Sequence, residues 1–234
     1  MSDSKQSQIR RRNDPSQSSA LRKSERTRQA ILDSALDFLW THPFRELTVG
    51  ELMSLAGTSR SAFYQYFADL HELMEALLRG IEDDIFAAAT PWFEGAGDPI
   101  PLLEETMAGL VGVCYRQGPI LRAVSDAAPM DGRLEKAWTG FLHDFDVAVT
   151  DRIEQHQAAG LIKQFEARPI AIALNRMDAY LLIHHFGRRP RGNQELVQKA
   201  ILRIWISTLY GDEALAASDS ENRSKRRVPK SKNK

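Results

Sequence analysis

The segment Ser59 to Tyr66, SRSAFYQY, carries two hydroxyls, two phenols, one carboxamide and a single guanidinium. No acid, metal-ligand pair or nucleophile with a neighbouring base occurs there, so its chemistry is hydrogen bonding. On a helix entered N-terminus first, the unpaired backbone N–H groups and the positive dipole end favour phosphate oxygens. Ser59, Ser61, Tyr64 and Tyr66 add uncharged donors that fix register on a phosphate backbone. Arg60 has the fork to pair with guanine O6/N7, and Gln65 the amide to pair with adenine N6/N7. Each such bidentate contact is worth roughly 1–3 kcal/mol of base discrimination. The same residues also fit a helical corner in an ordinary bundle, with Tyr64 and Tyr66 as half-buried packing groups.

Either reading needs elements that place the segment. Thr48 with Glu51 forms a capping box, in which the threonine oxygen accepts a backbone N–H at a helix start. That helix ends at Gly57, since glycine enters the left-handed region without penalty. Thr58 or Ser59 then caps the next helix. Two helices joined so tightly make a helix-turn-helix. Ala62, Phe63 and Phe67 fit an inward face against Leu52 and Leu55, leaving Arg60, Ser61, Tyr64, Gln65 and Tyr66 outside. A preceding helix is marked by Ile31, Ala35, Phe38 and Leu39 at helical spacing, ended by HPF at 42–44.

Downstream, the helical pattern continues to Tyr210, with no alternating run for a sheet and no internal repeat. Breakers at Pro91, 95–99, 117–119, 128–132, Gly160, 168–169 and 187–192 divide it into about six further helices. The fold class is all-α. The 234 residues, 43% of them hydrophobic, suffice for a sizeable core. No stretch of eighteen apolar residues occurs and the N-terminus is polar and basic, so neither a membrane span nor a secretory signal is expected and the cytoplasm is the expected location. Cys114 is the only cysteine and lies among apolar residues, which excludes an intrachain disulfide and reads as an inert buried thiol.

The net charge of +0 hides an asymmetry. Residues 1–28 hold eight basic and three acidic side chains, and residues 218–234 hold seven and two. Residues 29–217 therefore carry 16 basic against 26 acidic groups. The polar arms, 1–24 and 212–234, are expected to be disordered, serving either solubility or attachment to a polyanion. Arg22, Lys23, Arg26 and Arg28 lie just ahead of the first helix, where they would supply the counterion-release part of binding.

No catalytic constellation is present. His143, His156, His184 and His185 are not arranged as HExxH, and HDFD at 143–146 reads as a solvated helix face. There is no GxSxG elbow and no P-loop, so neither enzyme chemistry nor a metal or cofactor is expected. A long helix over 131–159 aligns Trp138, Phe141, Leu142, Phe145, Val149 and Ile153 as a core stripe. The helix from Pro169 to Gly187 is apolar nearly all round, with Arg176 and Asp178 its only charges before the histidines. Such a helix needs burial on two sides. With Val197, Ile201, Ile204, Trp205 and Leu209 of the next helix, it predicts a four-helix dimer interface from segments 169–187 and 193–210. Asn175 and Asp178, one turn apart in this apolar segment, must find partners in neighbouring helices or in a ligand.

LTVGELMSLAGTSRSAFYQYF followed by LHELMEALL, after RQAILDSALDFL, resembles the DNA-binding domain of the TetR family of transcriptional repressors. The resemblance covers residues 25 to about 84. It implies a homodimer on a partly palindromic double-stranded operator, with the helix at 59–66 in the major groove. Tyr64 and Tyr66 would touch the backbone, and Thr48, Ser59, Arg60, Ser61 and Gln65, with Arg26 and Arg28, complete the expected contact set. Where the family usually has Pro-Ser-Lys, this chain has Ala68-Asp69-Leu70. Asp69 still caps the next helix, but the phosphate-binding lysine is absent, so weaker or more arm-dependent affinity is expected.

IALNRMDAYLL and RIWISTLYG resemble the EthR branch of that family. The resemblance implies a domain over 85–211 with a hydrophobic tunnel bordered by Asn175 and Asp178, Trp205 nearby. Leu103, Met107 and Leu110 are expected on its wall, with Trp138, Phe141 and Phe145 beside them. Here an acid replaces the second amide, which favours a cationic or hydrogen-bond-donating partner, or a protonated carboxyl. A roomier, aliphatic cavity for an elongated lipophilic effector is the expectation. The resulting reading is a dimeric, ligand-responsive repressor. Its rivals are a sequence-independent DNA-coating protein and a hydrophobic-ligand carrier with a vestigial reading head. Operator, regulated genes, effector and the direction of its effect are not legible.

Overall fold

The computed structural model describes residues 15–211 and Ala214. Among the described residues there are eight α-helices, two 3-10 turns and no strand. The first helix, α1 (Pro15–Leu39), begins within the segment expected to be a disordered arm. Proline suits a first helical turn, because its missing N–H has no partner there anyway. The expectations for residues 1–14 and for most of the C-terminal tail fall outside the described residues. Ile31, Leu32, Ala35, Phe38 and Leu39 form the buried face of α1.

α2 (Val49–Leu55) starts as its sequence requires, the Glu51 N–H donating to Thr48 Oγ1 at 3.1 Å. It ends at Gly57, whose φ of 65° lies in the left-handed region. The Thr58 N–H then reaches back to the Met53 carbonyl at 3.0 Å, satisfying an orphaned acceptor. Ser59 caps α3 (Arg60–Phe63) through the Ala62 N–H. The helix expected over 59–66 is thus shorter. After Phe63 the chain tightens, with Gln65 N–H to Ala62 O at 3.2 Å and Tyr66 N–H to Phe63 O at 2.9 Å, before Phe67 returns to the core.

α4 (Leu70–Glu94) is a single long helix begun by Asp69, which accepts from the Glu72 N–H at 2.8 Å while Glu72 accepts from the Ala68 N–H at 2.6 Å. α5 (Pro99–Ala127), α6 (Gly132–Ala158), α7 (Ala167–Phe186) and α8 (Gln194–Leu209) complete a C-terminal bundle. Five helices follow the first three rather than about six, because Pro91 and Pro119 do not break α4 and α5. Packing overrides propensity at both. Near Pro91, Thr106 of α5 accepts the Trp92 N–H at 3.1 Å and donates to the Ala89 carbonyl at 3.4 Å, splicing the disturbed turn. Beside Pro119, Gly118 lies so near the end of α7 that a Cβ there would sit 2.5 Å from the Phe186 carbonyl oxygen. The core runs unbroken from α1 through α8, so α4 belongs to both halves of the molecule.

Candidate functional site

Short α3 stands clear of the globule. Ser59, Arg60, Ser61 and Gln65 are exposed, as is Thr48, and Tyr64 is 62% exposed. Phe63 is fully buried beneath them and Phe67 nearly so, which anchors the turn by its apolar side alone. Leu55 does not join that inner face. It is the last residue of α2 and is 57% exposed. The Arg60 guanidinium folds back against α2, close enough that a Cβ on Gly50 would meet its Nη2 at 2.3 Å. Tyr66 is only half-buried and its phenolic oxygen accepts from Ser24 Oγ at 3.3 Å, tying α1 to this turn. Arg26 is exposed, and the Arg28 guanidinium lies 5.3 Å from the Phe67 ring centroid.

Behind this surface, the beginning of α4 is pinned to the beginning of α6. Arg133 bridges Asp69 at 2.7 Å and Glu75 at 3.2 Å, and His71 Nε2 lies 2.8 Å from Asp131. The Glu72 N–H and the Arg133 guanidinium hold Asp69 below the usual carboxylate range.

In the C-terminal bundle a cavity of about 70 Å³ lies between α4, α5, α6, α7 and α8. Met107, Leu110, Phe141, Phe145, Asn175, Asp178 and Trp205 all line it. Leu103 and Trp138 do not. Leu103 is fully buried elsewhere in the core, and Trp138 stacks on the far side of Phe141 at 5.3 Å between centroids. The expectation of a roomy aliphatic chamber is also corrected. Trp92 and Phe93 of α4 bring aromatic walls, with Trp92 edge-on to Trp205 at 5.6 Å and Phe86 stacked on Phe145 at 4.3 Å. Reading Pro91 as a helix end hid this wall, although Ile85, Ala89 and Trp92 keep helical spacing across it.

Two carboxylates behave differently here. Asp146, in the segment expected to be solvated, is 3% exposed because Arg176 clamps it bidentately at 2.8 and 3.1 Å. Asn175 also donates to Asp146, at 3.0 Å, so its partner is the neighbouring helix. Asp178 accepts one bond, from Trp205 Nε1 to Oδ2 at 3.0 Å, while its buried Oδ1 has no partner. Burial drives its pKa well above the ordinary carboxylate value. Cys114, also on the wall, is pushed up to about 12 by burial and the adjacent Asp178, an inert thiol. Among the described residues, no group of three His, Cys, Asp or Glu could hold a metal ion, and no helix is long and apolar enough to cross a membrane.

On the outer side of the bundle, Val197, Ile201, Trp205 and Leu209 are buried in their own chain rather than offered to a mate. Packing against α5 claims that face of α8. What remains outside is Tyr180 of α7 at 69% exposure, with Leu196 at 63% and Ile204 at 38% on α8.

Comparison with known proteins gives two family matches. Residues 31–77 match "Bacterial regulatory proteins, tetR family", and residues 103–211 match "Transcriptional regulator EthR, C-terminal domain". The HTH-type transcriptional regulator EthR of Mycobacterium tuberculosis is 27% identical over 194 residues, covering 78% of this chain and 87% of the relative. The HTH-type transcriptional repressor LfrR of Mycolicibacterium smegmatis is 41% identical over 59 residues, 25% of this chain and 30% of its own. A crystal structure of a TetR-family transcriptional regulator from Syntrophomonas wolfei aligns with a TM-score of 0.65 at 18% identity, covering 79% of this chain and 95% of that one.

Proposed function

The chain belongs to the TetR family of bacterial transcriptional regulators, with an EthR-type C-terminal domain, and we propose that it represses transcription as an operator-bound dimer released or recruited by a hydrophobic effector. The observation that carries the reading is the Ser59-capped α3, set by the positive-φ Gly57, which exposes Arg60, Ser61, Tyr64 and Gln65 over a buried Phe63. An uncharged donor set with one guanidinium suits base reading better than indiscriminate coating, because coating needs many cations. Selecting bound fragments from the source genome tests this directly. Random duplex that displaces a selected fragment as well as the fragment displaces itself would end the proposal. Within such a fragment, Arg60→Ala is expected to cost about 1–3 kcal/mol, roughly 5- to 150-fold in affinity, and to relax selectivity at one base pair. Gel-shift titration against base-substituted duplexes measures both.

The cavity of about 70 Å³ is far below the several hundred Å³ of a drug-sized site, so effector entry must part the helices around it. α4 and α6 both form its walls, and their N-terminal ends are the ones joined by Arg133, Asp69 and Glu75. A displacement of α6 against α4 would therefore be felt at the root of the reading head. Paired heads must match a repeat of about 34 Å along the duplex, so a small rotation suffices to change affinity. The effector shifts the equilibrium only by its differential affinity for the two arrangements. The unpartnered Asp178 Oδ1 on a mostly apolar wall favours an effector with an N–H or ammonium end on a lipophilic body.

A further inference from the structure

Where the chain leaves α1 and turns toward α2, a second cleft of about 410 Å³ opens between the two halves of the molecule. It shares no lining residue with the aromatic cavity. Four arginines, Arg45, Arg122, Arg188 and Arg189, face it against two carboxylates, Glu46 and Asp126. That excess of positive charge lies in a body, residues 29–217, whose 26 acidic side chains outnumber 16 basic ones.

The carboxylates do not use up the arginines. Arg45 to Glu46 and Arg188 to Asp126 both stand at 3.9 Å between exposed side chains, a separation that contributes little in water. Arg122 is only 7% exposed. Its Nη2 donates to the Leu39 and His42 carbonyls at 2.6 and 3.1 Å, closing the end of α1, yet its Nε is buried without a partner. Burial, with a smaller contribution from the nearby Arg188 charge, holds the Arg122 guanidinium below its usual pKa. Trp40 stiffens the edge, with the Arg189 guanidinium 5.0 Å from its ring centroid.

We propose that this cleft binds the phosphate group of a small phosphoester, held between Arg45 on the amino-terminal half and Arg122, Arg188 and Arg189 on the carboxy-terminal half. A doubly charged, tetrahedral group matches a two-charge excess and lets several planar guanidinium forks bind at once, which a monocarboxylate does not. Its occupancy would tie the end of α1 to α5 and to the α7–α8 connection, and so couple a phosphorylated metabolite to the placement of the reading head. The site stands independently of the effector assigned to the aromatic cavity.

The test uses the full chain and inorganic phosphate, titrated calorimetrically at pH 7.5 against chloride of equal ionic strength. The expected result is saturable one-to-one binding, at least about tenfold weaker in Arg188→Gln/Arg189→Gln and in Arg45→Gln from the opposite wall, with acetate binding more weakly than phosphate. All three substituted side chains are exposed, so the phosphate-free melting midpoint should stay unchanged. Absence of saturable binding, or equal affinity in the variants, overturns the proposal. So does a loss of duplex affinity and salt slope in the variants with no phosphate binding in the parent chain, since the arginines would then belong to a DNA backbone contact.

Discussion

A chain carrying Tyr180→Glu and Ile204→Glu is expected to sediment as a monomer and to bind its operator at least about a hundredfold more weakly than the parent. Both residues are apolar or aromatic, both are exposed, and both lie on faces of α7 and α8 turned away from their own core. Leu196, Ala200 and Ile204 follow one another at four-residue spacing on α8, while Ala173, Met177 and Tyr180 do so on α7 at spacings of four and three. Two such stripes give a surface that a second copy can cover by the same patch. In that two-fold arrangement each substitution appears twice, so four carboxylates would be driven into the contact. Unpaired buried charges cost several kcal/mol each, which exceeds what the remaining contact can return. A monomer reads one half-site and loses the gain of linked binding. Effector affinity should change less than about threefold, because the cavity wall is built within one chain. Sedimentation equilibrium together with gel-shift titration decides the matter. A double variant still dimeric at micromolar concentration would show that these faces are not the interface.

That surface shows where sequence reading works and where it stops. The apolar character of segments 169–187 and 193–210 is plain in the sequence. The assignment of sides is not. Val197, Ile201, Trp205 and Leu209 look as available as Leu196 and Ile204, and only the path of α5 decides which set is used up internally. The caps and the glycine of the turn from α2 to α3 are legible in the sequence, because capping and a positive-φ glycine are local demands of the backbone, whereas the length of α3 and the exposure of Leu55 are not. Proline was misleading for the same reason. Its breaking tendency is local, while Thr106 and the close approach of α7 to Gly118 are remote in sequence. Asp146 is a similar case: nothing in HDFD reveals an arginine thirty residues away that draws the carboxylate inside. The family resemblance located Asn175, Asp178 and Trp205 on one wall. Trp92 and Phe93 required a helix continued through Pro91.

Replacing Asp178 by asparagine should stabilise the folded chain, and more so as pH rises. Burial raises the Asp178 pKa well above the ordinary carboxylate value, the Trp205 N–H offsetting only part of the cost. Below about pH 4 the carboxyl is protonated both folded and unfolded, and the native state bears no penalty. Above that point the unfolded chain sheds its proton while the folded chain keeps it. The native state then binds more protons, and stability falls with rising pH by about 1.4 kcal/mol per unit until the folded pKa is passed. Asparagine titrates nowhere and accepts the same bond from Trp205. The difference between variant and parent, from urea unfolding at pH 5, 6 and 7, should therefore widen as pH rises until the folded pKa is passed. A constant difference would show that Asp178 does not carry the ionisation cost. Effector binding must follow the same proton. A lipophilic ammonium pairs with the ionised carboxylate, so binding releases the Asp178 proton and tightens with pH until Asp178 is ionised in the free protein or the amine is neutralised. In Asp178→Asn that tightening should vanish and affinity for the amine should fall at least about tenfold, the price of an unmade charged hydrogen bond in an apolar wall. An amine series that binds both chains equally, with the same pH profile, would remove Asp178 from effector recognition.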